Sequence, residues 1–190
     1  MKLAIMTDLE GVAGVIDSPN WCRPEGRYYE IAKELLTEEV NAAVQGFRAG
    51  GIEEMHIIDG HGCGAIDIRL LDQYVEYARG WPDKWPFGID KSFDAVAWVG
   101  QHAKAGTERA HLAHTQSFAY IDLSVNGISI GEFGQFAFCA AELGIPAIFG
   151  SGDQAFADEA VALVPRLRDR GRQAWRYVRQ RRRVYSGPVP

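Results

Sequence analysis

The chain has 190 residues, 47% hydrophobic and 24% charged, the mix of an ordinary globular domain rather than of a fibrous or disordered chain. No apolar run approaches the roughly 18–20 residues that span a bilayer, and Asp8 arrives too early for a signal-peptide core, so a cytoplasmic protein without a membrane partner is expected. Residues 1–165 hold 11 basic and 24 acidic residues while 166–190 hold nine arginines and one acid, Asp169; a body this acidic repels a phosphate backbone and argues against a nucleic-acid partner.

The run Leu3–Asp8 is short and apolar and ends in polar residues, which predicts a buried first strand followed by a glycine-punctuated turn through Glu10-Gly11 and Ala13-Gly14. From Pro24 to about Gly50, the residues Ile31, Leu35, Leu36, Val40, Ala43, Val44 and Phe47 recur near helical spacing, and Gly50-Gly51 stops the run. Glu54–Asp59 reads as a second strand and leads into Gly60-His61-Gly62-Cys63-Gly64. Residues 78–93, with Trp81, Pro82, Trp85 and Pro86, read as an irregular connection. Asp94–Gly100 is a third strand ending at Gln101-His102, and 121–130 is strand-like. Glu132–Leu143 is helix-like, Pro146–Gly150 a short buried strand, and Asp153–Leu163 another helix. Strands alternating with helices predict an α/β fold: a mostly parallel sheet with helices on both faces.

In such sheets ligands bind outside the carboxyl ends of the strands. Asp8 and Glu10 follow the first strand, Asp59 and His61 the second, and His102 the third. Asp8 and Glu10 are two apart, so in extended backbone both would project to one side. Any one of these is commonly a surface turn residue; their convergence at one sheet edge points to a metal site. Carboxylate and imidazole donors suit zinc, manganese or related divalent ions, and without a cation neighbouring carboxylates would repel or take up protons. Two divalent ions would be balanced by Asp8, Glu10, Glu132 and one hydroxide, if Glu132 lies nearby.

Other patterns carry less. The Gly60–Gly64 loop is not a GxGxxG fingerprint. His114 and Ser117 have no GxSxG elbow between them, and no HExxH is present. His56, inside an apolar strand, reads as a satisfied core or surface histidine, His111 has no evident partner, and Cys63 reads as packing. The three cysteines, an odd number without a CxxC pair, indicate neither a disulfide framework nor a zinc knuckle.

Six short pieces in order resemble the DppA-type D-aminopeptidase family of dinuclear zinc metallopeptidases. They are Asp8-Leu9-Glu10-Gly11-Val12-Ala13-Gly14, Leu36-Thr37-Glu38-Glu39, Asp59-Gly60-His61, Gly100-Gln101-His102-Ala103-Lys104-Ala105, Leu112-Ala113-His114-Thr115 and Gly131-Glu132-Phe133-Gly134. The resemblance implies two zinc ions per subunit bridged by Asp8, with Glu10 and His102 completing one and His61 and Glu132 the other. It implies His114 as the catalytic histidine, metals about 3.5–4 Å apart that activate a water, and short peptides with an N-terminal D-residue, such as D-Ala dipeptides, as substrates. It also implies a ring-like homo-oligomer, with a decamer as the candidate assembly.

The likeness covers roughly residues 1–165, the expected catalytic domain; family members continue with further strands and helices. Here 166–190 turns arginine-rich, which reads as a frame-shifted or disordered tail in place of the C-terminal part of the family fold, with activity impaired; a true short member with a basic tail is the other reading. The alternatives to a metallo-aminopeptidase are a non-catalytic metal-binding homologue that keeps the fold, or another dinuclear metallohydrolase. A phosphoesterase would want basic side chains near its ligands, and Lys104 is the one candidate.

Overall fold

A computed structural model describes residues 1–79 and 88–164. In chain order they form β1 (Lys2–Thr7), α1 (Ser18–Trp21), α2 (Tyr29–Ala49), β2 (Glu54–Asp59), β3 (Glu76–Arg79), β4 (Ala95–Gln101), β5 (Ser124–Val125), β6 (Ile128–Ser129), α3 (Glu132–Glu142), β7 (Ala147–Gly152) and α4 (Gln154–Leu163). Five strands make one sheet in the order β3-β2-β1-β4-β7, and every pairing is parallel. The expected α/β fold is what the chain adopts.

Strand alternation splits the core into two layers. Leu3 and Ile5 of β1, with Ala95, Ala97 and Val99 of β4, face α2, where Ala32, Leu36, Val40 and Val44 are fully buried. Each buried Leu or Val in this layer contributes about 1.5–3 kcal/mol through the apolar surface it removes from water. Ala4 and Met6 of β1, with Val96 and Trp98 of β4, face α3 and α4. There Trp98 meets Phe133 and Phe136 edge-on, with ring centroids 4.7 and 5.5 Å apart. Both central strands are buried on both faces, which is why they read as continuous apolar runs rather than alternating ones.

The structure moves several expected boundaries. β1 ends at Thr7, so Asp8 and Glu10 lie in the turn beyond it and not in extended strand. The long helix begins at Tyr29, not Pro24, because the preceding residues first form α1, capped by the Asp17 carboxylate accepting from the Asn20 amide. The strand-like 121–130 region is a two-stranded antiparallel hairpin turned at Asn126 and Gly127, whose φ angles of 52° and 80° match the Asn-Gly hairpin turn. Residues 78–79 of the supposed irregular connection belong to β3, a mostly exposed edge strand with no apolar run to announce it. The expected domain boundary at 165 and the arginine-rich 166–190 lie outside the described residues. No described helix is long and apolar enough to cross a membrane.

The chain leaves β1 for β2 and β3 on one side of the sheet and reaches β4 and β7 on the other. The strand order therefore reverses between β1 and β4, which opens a crevice at their carboxyl ends. The turn after β1 is pinned across this crevice by the Asp8 amide on the Val99 carbonyl, 3.0 Å, and the Gly11 amide on the Gly100 carbonyl, 2.9 Å. Gly100 has φ +78°, and a Cβ there would collide with the Asp8 carbonyl. The approach of the two strand ends thus depends on glycine at this position.

Candidate metal centre

Two clusters of ligand-type side chains meet in that crevice. Asp8, Glu10 and His61 form one; His102, His114 and Glu132 form the other. Asp8 lies between them: its Oδ1 is 3.4 Å from His61 Nδ1 and its Oδ2 3.1 Å from His102 Nε2. Glu10 Oε2 approaches His61 Nδ1 at 3.2 Å, and Glu132 Oε1 stands 3.6 Å from His102 Nε2 and 3.8 Å from His114 Nε2. All six expected site residues therefore converge. The grouping differs from the pairing that the family resemblance implied, for Glu10 sits with His61 and His102 with Glu132. The turn, not strand alternation, aims Glu10 and Asp8 the same way.

Each histidine is oriented by a backbone carbonyl. His61 Nε2 donates to Cys22, 2.9 Å, His102 Nδ1 to Ala103, 2.8 Å, and His114 Nδ1 to Leu112, 2.9 Å. A carbonyl only accepts, so these nitrogens carry the hydrogen, and a neutral ring turns its lone pair toward the carboxylates. A lone pair against a carboxylate is repulsive unless a cation lies between them. The Glu10 Oε2 and His102 Nε2 atoms are buried without a hydrogen-bond partner. Three imidazole nitrogens, three carboxylates and these orphaned atoms fit divalent zinc.

The electrostatics of the protein without metal say the same. Burial would raise the Asp8 carboxyl, yet the His102 and His61 rings hold it well below its ordinary 3.8. Burial would likewise disfavour charge on His61, yet Asp8, Cys63 and Glu10 hold it far above its ordinary 6.5. His102 is raised against its own burial by Asp8 and Glu132. Without metal, protons take the place of cations.

These shifts set a pH dependence. The raised histidines contribute stability that is fully present below 6.5 and lost as pH rises toward their folded values. The lowered Asp8 contributes stability present above 3.8 and lost only as pH falls toward its folded value. The melting temperature of chelated protein is therefore expected to drop between about pH 6.5 and 9 by this cluster's share, whereas zinc-loaded protein gains over the same range because the ion competes with fewer ring protons. Thermal melts with and without chelator check this; parallel curves would contradict it.

A second layer holds the ligands. Asp8 accepts from the Leu9 amide, 2.8 Å, and from Gln101 Nε2, 3.0 Å. Glu132, the first residue of α3, accepts from the Gln116 amide at 2.7 Å. The His114 ring stacks between His102 and Phe118, at centroid distances of 4.0 and 4.4 Å. Asp59, at a strand end like the others, is absent from both clusters; it accepts from the Ala65 and Ile66 amides and the Tyr77 hydroxyl and braces the loop that carries His61. His56 contacts Glu76 at 3.0 Å on the sheet edge, and His111 finds the Val15 carbonyl. Lys104 turns away to Ser129, 2.8 Å.

The clusters open into a cleft of about 460 Å³. Its walls include residues that sequence reasoning did not place at the site: Ser18, Cys22 and Arg23 on one side, Gln116 and Phe118 on the other. Cys63 also lines it, with its sulfur 3.4 Å from the Tyr29 hydroxyl. Their signal was adjacency in the chain to α1 and to His114, which is visible only once α1 is known to exist.

Comparison with known proteins agrees with the geometry. A D-aminopeptidase family model matches residues 1–170. The D-aminopeptidase of Bacillus subtilis (strain 168) is 28% identical over 172 residues, covering 88% of this chain and 61% of that protein. Among solved structures, the Zn-dependent D-aminopeptidase DppA from Bacillus subtilis, described as a self-compartmentalizing protease, matches with a TM-score of 0.81 at 26% identity, over 86% of this chain and 60% of that one. The chain thus spans about three fifths of the length of these relatives.

Proposed function

The chain belongs to the D-aminopeptidase family, and from that premise we propose that it is a zinc-dependent aminopeptidase acting on short peptides with an N-terminal D-residue, such as D-Ala dipeptides. The observation that carries the reading is the pair of ligand clusters sharing Asp8. Asp8 would bridge two zinc ions, Glu10 and His61 would hold one, and His102 and Glu132 the other. Bound zinc supplies a Lewis acid for the scissile carbonyl and lowers the pKa of a water.

The protein's own part is to place and move protons. His114 lines the cleft with its Nδ1 tied to Leu112, which leaves Nε2, 3.8 Å from Glu132 Oε1, to take a proton from the attacking water and return one to the leaving amine. Stacking on His102 and Phe118 fixes the ring plane, so the proton travels along one direction. Gln101 and the Leu9 amide keep Asp8 from rotating as charge develops beside it.

A ring-like homo-oligomer belongs to the same reading. Its support is the self-compartmentalizing relative and the exposed apolar side chains of 118–128, Ile121 being 89% exposed. A cytoplasmic setting accords with three unpaired cysteines.

The test is zinc content per chain in protein purified without chelator, then release of D-Ala from D-Ala-D-Ala and of L-Ala from its L counterpart. About two zinc ions per chain with D-selective release is the expected result. Zinc without turnover would leave a metal-binding homologue, and no zinc after supplementation would overturn the reading.

A further inference from the structure

The cleft has an acidic floor and one basic wall residue. Among the described residues lining it, Arg23 is the sole lysine or arginine, and no carboxylate among the described residues pairs with it. Two other arginines are already engaged: Arg79 donates to the Cys63 carbonyl at 2.6 Å, and Arg27 lies over the Tyr28 ring.

Arg23 is also held in register with the metal ligands. The carbonyl of its neighbour Cys22 is the one that orients His61. The Gly26 amide closes on the Arg23 carbonyl at 2.8 Å, and the Tyr28 amide returns to Asn20 at 2.9 Å. A Cβ at Gly26 would strike the Asn20 carbonyl, so this turn admits little rearrangement. A guanidinium with no carboxylate partner among the described residues, carried on a pinned backbone one residue from a group that touches a ligand histidine, can reach an anion bound beside the reacting bond.

On the peptidase reading above, we propose that Arg23 receives the free C-terminal carboxylate of a dipeptide whose scissile carbonyl lies over the two clusters. In a dipeptide that carboxylate is three bonds from the scissile carbonyl carbon, so it must come to rest within the same cleft. There the carboxylates of Asp8, Glu10 and Glu132 offer it nothing. Arg23, with Ser18 on the same wall, supplies the opposite charge. The enzyme thereby prefers dipeptides with a free terminus over capped or longer chains, whose corresponding atoms carry no charge at that place.

The experiment compares zinc-loaded full chain on D-Ala-D-Ala and on its C-terminal amide, in the wild type, Arg23→Gln and Arg23→Lys, with zinc content and melting temperature measured for each. The wild type is expected to favour the free acid by roughly 10–100-fold in kcat/KM, chiefly through KM. Arg23→Gln should collapse that ratio to within about threefold, and Arg23→Lys should restore a part of it. An unchanged ratio in Arg23→Gln, or equal slowing of both substrates, overturns the assignment while leaving the peptidase reading in place. A wild type that hydrolyses neither substrate overturns both.

Discussion

Asp8→Ala is expected to leave the chain with under about a tenth of its wild-type zinc and without measurable peptidase turnover. Asp8 faces both clusters, with one oxygen toward His61 and the other toward His102. Removing the carboxylate deletes a ligand from each position at once and leaves Glu10 and Glu132 to face the histidines without their shared counter-charge. The loss also reaches the protein without metal. His61 and His102 are raised in part by Asp8, so their charged forms lose support and the chelated variant should melt below chelated wild type near pH 6. Asp8→Asn keeps the volume and the hydrogen bond from Leu9 but not the charge, and should resemble the alanine variant in zinc content. Elemental analysis per chain decides the matter: retention of one full zinc in either variant would show that the clusters are independent and that Asp8 serves only one.

His114→Ala is expected to separate metal from turnover. Zinc content should stay near wild type while kcat falls by about 10²–10⁴-fold, the usual worth of a positioned acid-base group. The ring sits 3.8 Å from Glu132 and stacks on His102 rather than facing Asp8, so its removal leaves each cluster two donors besides the bridge. The vacated space between His102 and Phe118 could admit free imidazole, whose addition should recover part of the rate. A variant that also lost one zinc would make His114 a ligand and remove its acid-base role.

How far these residues could be read from the sequence depended on which physical signal carried them. Apolar runs that end in polar residues located β1, β2 and β4 to within a residue, because β1 and β4 are buried almost throughout and β2 is buried over its last three residues. Strand ends then placed Asp8, His61 and His102 at one edge. The same rule included Asp59, whose carboxylate instead braces a loop, since a strand end fixes where a side chain starts and not which neighbours claim it. Glu10 reached the centre for a reason that sequence did not supply, a turn held by Gly11 and Gly100. His114 and Glu132 lie beyond irregular chain, and family likeness rather than spacing pointed to them. β3 stayed hidden because an exposed edge strand needs no apolar pattern, and α1 because four residues are too few to show a period.

The division of the ligands along the chain has a consequence for how firmly each ion would be held. Asp8, Glu10 and His61 belong to the β1-α2-β2 unit, whereas His102, His114 and Glu132 belong to β4, α3 and the loop between them. Partial opening follows contiguous units of this size. Detachment of the later segment from the sheet would dissolve the second position and leave the first with all three of its donors. The two positions would thus be equal in donor number yet unequal in lifetime, with exchange at the His102–Glu132 position governed by local opening of the α3 half and exchange at the Glu10–His61 position by loss of the whole sheet.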